Sequence, residues 1–255
     1  MTGRGAGPLE VRVLGDAAEA ARAAADEIRR ALSSAIGERG VALWSLAGGS
    51  TPERAYDLLA ASPREVDWPR VHLFWGDERV VPPDHPESNY GRLRRRLLDR
   101  LPAAPGGVHR IRGELPAPEA ARKYEAELRR WTAEPGRPPR LDLALLGVGA
   151  DGHTASLFPG GRAAGGRWVV ATRAPMAPVS RVSLTLPVFA RARRILFLVT
   201  GAEKAEVVAR ILAPPAAPDD LPAAAVRPDH GSLLWLLDRE AAAALPEGGA
   251  GGPAR

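Results

Sequence analysis

Short apolar runs bounded by glycine, proline or charge recur along the chain, separated by stretches whose apolar positions return every three to four residues. The first kind of pattern predicts strands and the second amphipathic helices. Strands are predicted over 9–14, 41–47, 71–75, 108–111, 141–146, 168–172, 181–184, 195–199 and 233–237. The helices fall over 17–37, 52–61, 90–101, 118–131, 201–212 and 238–245. Asp16 followed by Glu19 supplies the first helix with an N-terminal cap. A polar stretch over 76–89 reads as a loop.

Strands alternating with helices of ten or more residues require crossover connections, hence an α/β fold with a mostly parallel sheet and helices on both faces. No internal repeat is visible. The Pro-rich stretch 213–222 has the composition of a linker, but the roughly 30 residues beyond it are too few for a domain. A single domain over 9–245 follows, with Gly/Pro-rich, flexible termini at 1–8 and 246–255.

Composition narrows the setting. A 45% hydrophobic content supports a substantial core. The chain has no cysteine, which removes a disulfide framework, a Cys-ligated metal and thiol catalysis together. With no apolar run of about 18 residues and no signal-like N-terminus, the expectation is a cytoplasmic protein away from the membrane. The net charge of +5 raises the question of nucleic acid. Yet the arginines are interleaved with acids, and the one basic cluster, Arg92-Leu-Arg-Arg-Arg96, fits the solvated face of a helix. A small anionic substrate suits the charge equally well. Nearly every cation is arginine; the two lysines are Lys123 and Lys204. A lysine kept in such a chain hints at a task needing a compact charge.

Three turns at predicted strand ends carry candidate chemistry. The first, Ala47-Gly-Gly-Ser-Thr-Pro-Glu53, joins a strand to a helix, with Thr51 placed to cap and Pro52 at the helix start. Glycines that let an anion approach free helix-start amides make a phosphate site, though an ordinary capped turn explains the same residues. The second, Phe74-Trp-Gly-Asp-Glu-Arg-Val-Val-Pro82, puts Asp77, Glu78 and Arg79 directly after a buried strand, where one can orient a substrate hydroxyl. His85, between Asp84 and Pro86, reads as surface. In the third, Gly147, Gly149 and Gly152 match the dinucleotide fingerprint G-x-G-x-x-G. That motif calls for a long helix next and an acid about 20 residues on. Here Pro159 cuts the helix short and 168–174 holds no acid, although Arg173 would suit a 2′-phosphate. The other reading of this turn rests on His153, a natural general base at neutral pH, with Asp151 two residues away to fix its tautomer.

Taken together, Leu46-Ala-Gly-Gly-Ser-Thr-Pro52, Trp75-Gly-Asp-Glu-Arg-Val-Val-Pro82 with Ser88-Asn-Tyr-Gly91, and Gly147-Val-Gly-Ala-Asp-Gly-His-Thr-Ala-Ser-Leu-Phe-Pro159 resemble the 6-phosphogluconolactonase family in content, order and spacing. The resemblance covers about residues 9–245. It implies a modified Rossmann-like sheet and hydrolysis of 6-phosphoglucono-1,5-lactone to 6-phosphogluconate, in the pentose phosphate pathway, with no cofactor and no metal required. It further implies that His153 is the general base, that Gly48, Gly49, Ser50 and Thr51 bind phosphate, and that Arg79 holds substrate or stabilises developing charge. From the related sugar-phosphate isomerases it adds Arg181 and Lys204 as phosphate ligands. The expected partner is the small-molecule lactone, with no nucleic acid and no membrane, and the chain a monomer or weak homo-oligomer. Glucosamine-6-phosphate deaminase resembles the chain in the same turns, but its Glu-Pro aligns with Phe158-Pro159, which removes a proton-transfer group. A non-catalytic sugar-phosphate sensor on the same fold is the remaining alternative.

Overall fold

Leu-Ala-Leu-Leu at 143–146 and Ala-Leu-Trp-Ser-Leu at 42–46 offer almost nothing polar to solvent, so strands built from them must be covered on both sides. In the computed structural model, which describes residues 9–161, 166–213 and 220–246, both runs are wholly buried at the centre of a seven-stranded sheet. Its strands are β1 (Leu9–Leu14), β2 (Ala42–Leu46), β3 (Val71–Trp75), β5 (Gly107–His109), β6 (Leu143–Leu146), β9 (Arg194–Val199) and β10 (Ser232–Asp238). They lie in the order β1-β10-β9-β6-β2-β3-β5 with every neighbouring pair parallel. Phe197 of β9 stacks on Trp235 of β10, ring centroids 4.1 Å apart. Large apolar side chains are exposed on the two edge strands, Leu9 and Val13 on β1 and Val108 on β5.

The helices follow from local chemistry. Helix α1 (Ala17–Arg39) begins where the Asp16 carboxylate accepts the Glu19 amide at 2.7 Å. It buries Ala20, Ala24, Ile28, Leu32 and Ala35 against the core. It runs past Gly37, the predicted end, and stops at Gly40, whose left-handed conformation (φ 77°) lets its amide reach back to the Ile36 carbonyl. A mid-helix glycine costs only about 1 kcal/mol. Arg39, gained by the extra turn, pairs with buried Asp142 at 2.9 Å.

Strand order locates the ligand crevice. From β2 the chain moves outward through β3 to β5; from β6 it returns through β9 to β10. Right-handed crossovers then put the connecting helices α1, α2 (Ser50–Ala61) and α3 (Asn89–Arg96) on one face, and α4 (Ala117–Arg129) and α6 (Ala205–Leu212) on the other. The direction reverses between β2 and β6, which are neighbours (Trp44 opposite Leu143). The turns after their carboxyl ends diverge and leave a crevice, the place where open α/β sheets bind ligands.

Three predictions are corrected. Residues 168–172 and 181–184 do form strands, β7 (Val169–Arg173) and β8 (Ser180–Leu184), but in a separate antiparallel sheet ordered β4-β8-β7. Its third member, β4 (Asp77–Arg79), comes from the predicted polar loop. Three charged residues have no intrinsic strand signal; they are extended because Glu78 and its neighbours pair with β8. The predicted helix 238–245 is a series of turns. There the Asp238 side chain accepts the Ala241 amide as a cap and Ala242 donates to the Asp238 carbonyl at 3.1 Å, but Ala243 and Leu245 then bond three residues back, and Pro246 follows. A short helix, α5 (Leu186–Ala190), was not foreseen and starts with Pro187 in its first turn. The end of the Pro-rich stretch belongs to the domain: Ala223 donates to the Gly152 carbonyl at 3.1 Å. Of the termini expected to be flexible, 1–8 and 246–255, all but Pro246 lie outside the described residues, as do 162–165 and 214–219.

Candidate active site

Helix α2 starts directly after β2 with Gly49 as its cap residue, so no side chain satisfies the first amides. Thr51 does not cap; it sits inside the first turn, its hydroxyl 3.3 Å from that of Thr200 at the end of β9. Pro52 takes the third helical position, where its missing N–H leaves no gap in the ladder. The result is a bare, positively polarised helix start facing the crevice. Gly48 is required by close approach: a Cβ there would lie 2.0 Å from the Asn89 side chain.

The turn after β6 presents His153 over Gly149, where a Cβ would collide with the imidazole at 2.1 Å. Its Nδ1 lies 2.5 Å from Asp151 Oδ1, and the same oxygen accepts the His153 amide at 3.1 Å. An ionised carboxylate can only accept, so Nδ1 carries the proton and Nε2 is left as the basic nitrogen. Asp151 is held below the usual carboxylate range; partial burial pushes it up, but the hydrogen bonds and charge of His153 prevail. The Phe158 ring packs against the imidazole, centroids 4.9 Å apart.

Strand alternation explains the acid and arginine segment. Asp77 and Arg79 share one face of β4 and line the crevice, while Glu78 turns inward and is buried. Glu78 accepts the amides of Arg79, Asn89 and Tyr90 and the Ser88 hydroxyl, fastening the start of α3. Burial pushes its carboxyl up to about 7 despite those donors. Arg79 is held by the Glu87 carbonyl at 2.7 Å and its carboxylate at 3.2 Å. Opposite it on β8 stands Arg181, 8% exposed, with Nη1 lacking a hydrogen-bond partner among the described residues. Burial and the neighbouring Arg79 charge lower the Arg181 pKa. Two like charges directly opposite on a strand pair are destabilising unless an anion compensates them.

The crevice, about 320 Å³, is lined by Gly48, Gly49, Ser50, Thr51, Asp77, Arg79, His153 and Lys204. So the three turns, far apart in sequence, meet. Asp151 reaches the crevice only through His153, and Arg181 is not among the lining residues. Lys204, at the start of α6, meets no carboxylate within ion-pair distance among the described residues, whereas Lys123 is tied to Glu119 on α4. Asn89, Ala155, Thr200 and Glu203 also line the crevice and were not singled out. For Thr200 the available signal was its place just past a buried strand. Among the described residues no three His, Cys, Asp or Glu side chains are grouped as metal ligands, and no helix is long and apolar enough to cross a membrane.

The chain is thus a doubly wound α/β protein whose topological switch point brings together a bare helix start, the Lys204 ammonium and a carboxylate-oriented imidazole. A family model described as glucosamine-6-phosphate isomerases/6-phosphogluconolactonase matches residues 15–235, and the chain belongs to that family. It is 41% identical over 214 residues to a 6-phosphogluconolactonase of Synechocystis, covering 82% of this chain and 87% of the relative. Identity to the Mycobacterium tuberculosis 6-phosphogluconolactonase is 40% over 235 residues, covering 88% and 93% of the two chains. The solved structure of 6-phosphogluconolactonase from Trypanosoma brucei superposes with a TM-score of 0.81 at 31% identity, covering 94% of this chain and 99% of the other.

Proposed function

We propose that this protein hydrolyses 6-phosphoglucono-1,5-lactone to 6-phosphogluconate, with His153 as the general base. The observation that carries the reading is the pairing of His153 Nδ1 with Asp151 at 2.5 Å, which leaves Nε2 free in the same crevice as the bare start of α2. The names of the relatives support the substrate.

In this mechanism the phosphate rests on the amides of Gly49, Ser50 and Thr51 and on Lys204, with Arg181 adding charge from beside Arg79. Asp77 orients a substrate hydroxyl. His153 Nε2 takes a proton from water as the oxygen attacks C1, and Asp151 stabilises the imidazolium that forms. Arg79 and nearby amides hold the negative charge on the former carbonyl oxygen. When the ring C–O bond breaks, the imidazolium returns its proton to the leaving oxygen, which becomes the C5 hydroxyl. No metal or organic cofactor takes part, and the cysteine-free composition suits a reducing cytoplasm.

Deamination of glucosamine 6-phosphate is disfavoured because Phe158, which cannot transfer a proton, packs on His153 where the deaminase motif carries glutamate. The test is lactone hydrolysis measured above the spontaneous background, run beside a deaminase assay on glucosamine 6-phosphate. Activity in the first alone is the expected result. Activity in the second alone, or in neither, overturns the proposal, the latter in favour of a sensor.

A further inference from the structure

Ser156 is 1% exposed and does not line the crevice, yet each of its polar atoms is bonded to a different strand of the small sheet. Its amide donates to Ser183 Oγ on β8 at 3.1 Å, and its carbonyl accepts from Thr172 Oγ1 on β7 at 2.9 Å. Its hydroxyl donates to Asp77 Oδ2 on β4 at 2.6 Å. Two of these bonds are main-chain bonds that any residue would make. The third is specific to serine and spends the hydroxyl proton on a carboxylate that faces the crevice.

The path from Ser156 back to His153 is short and stiff. Thr154 is fully buried and its hydroxyl donates to the Gly147 carbonyl at 2.8 Å. Ala155 adopts φ +49°, a left-handed conformation that a non-glycine residue holds only at a cost and that functional turns retain. The strained step turns the chain so that Ser156 reaches Asp77 while His153 stays over Gly149. Among the described residues the Asp77 carboxylate has one other side-chain donor, Asn89 Nδ2, which reaches Oδ1 at the long distance of 3.3 Å. The Ser156 hydroxyl is therefore the shorter of the two side-chain contacts that fix the carboxylate.

We propose that Ser156 is a positioning residue that sets the Asp77 carboxylate relative to His153, coupling the small sheet to the base-bearing turn; this rests on the lactonase reading above. Ser156→Ala removes only the hydroxyl bond and leaves both main-chain bonds, so the fold is expected to persist. A hydrogen bond to a charged group governs this contact, so kcat for the lactone should fall about tenfold while KM moves less than about twofold. Ser156→Thr, which keeps the hydroxyl, should restore most of the rate. In an Asp77→Ala background the Ser156→Ala change should have no further effect, because nothing remains to be positioned. Thr172→Val serves as the structural control: it loosens the hub away from Asp77 and should lower Tm without the fall in kcat. An active wild type with Ser156→Ala at full kcat, with independent multiplicative losses in the double variant, or with Thr172→Val as slow as Ser156→Ala overturns this proposal alone. A wild type with no lactonase activity overturns the functional reading and this proposal with it.

Discussion

Arginine lines grooves at both ends of the parallel sheet, and the two ends differ in what the arginines face. At the amino ends of the strands a groove of about 620 Å³ runs between α1 and the starts of β9 and β10. Buried Glu27 there is met by Arg12, Arg30 and Arg194, each at 2.7 Å, and buried Asp142 by Arg39 and Arg193. At the carboxyl ends, Arg79 is paired with Glu87, but among the described residues Arg181 behind it has a buried nitrogen with no hydrogen-bond partner and Lys204 meets no carboxylate within ion-pair distance. In the larger groove the two buried acids gather five guanidinium groups and Arg140 reaches only the His230 carbonyl, so most of the charge is compensated by the fold; the smaller one holds the Lys204 charge without an acid among the described residues. Size is thus a poorer guide to function here than the pairing of cations with acids.

The contrast can be broken by substitution at either end. The largest effect belongs to His153→Ala, which should lower kcat by about 10²–10⁴ while leaving the affinity for inorganic phosphate near that of the wild type. Steady-state kinetics and calorimetry check the two halves. At the other end, Glu27→Ala leaves three guanidinium groups facing one another and should cost about 2–4 kcal/mol of stability with kcat and KM unchanged. Urea unfolding measures it, and a loss of activity without a loss of stability would dissolve the distinction between the two ends. Lys204→Ala should raise KM about 10–100-fold, the worth of one charge-assisted hydrogen bond, with a smaller effect on kcat.

The smallest effect is a slope with pH. Glu78 has a folded pKa of about 7, above its ordinary value of 4.5. The folded state therefore binds the proton more tightly than the unfolded chain, and the stabilisation is complete below about pH 4.5 and lost as pH rises through 7. From pH 5 to 8 the wild type should lose on the order of 2 kcal/mol that Glu78→Gln does not lose. Parallel stability curves for the two proteins would show that Glu78 does not titrate in this range.

Much of this was legible in the sequence because the signals were local. Buried runs such as Leu-Ala-Leu-Leu needed no partner to be recognised as strands, and the strand–glycine–helix step at 46–52 pointed to the anion turn. What was missed depends on distant partners. Asp77–Arg79 is a strand only because β8 lies beside it, and Ser156 is distinctive only because Asp77, Thr172 and Ser183 converge on it. The contact of the Asp238 carboxylate with the Gly201 amide, 37 residues away in sequence, was likewise invisible to a local reading. The lone lysine of the crevice was marked by composition, but composition alone did not separate it from Lys123, which is in a surface pair.

The absence of a capping side chain at Gly49 has a thermodynamic corollary. A bound phosphoryl group would complete the first turn of α2 in place of a serine or aspartate, so the occupied protein is the better-terminated one. By linkage, inorganic phosphate should then raise the melting temperature as its concentration passes its Kd, with hydrogen exchange slowing first at the amides of Ser50, Thr51 and Glu53. Substrate recognition and the integrity of one helix end become a single equilibrium.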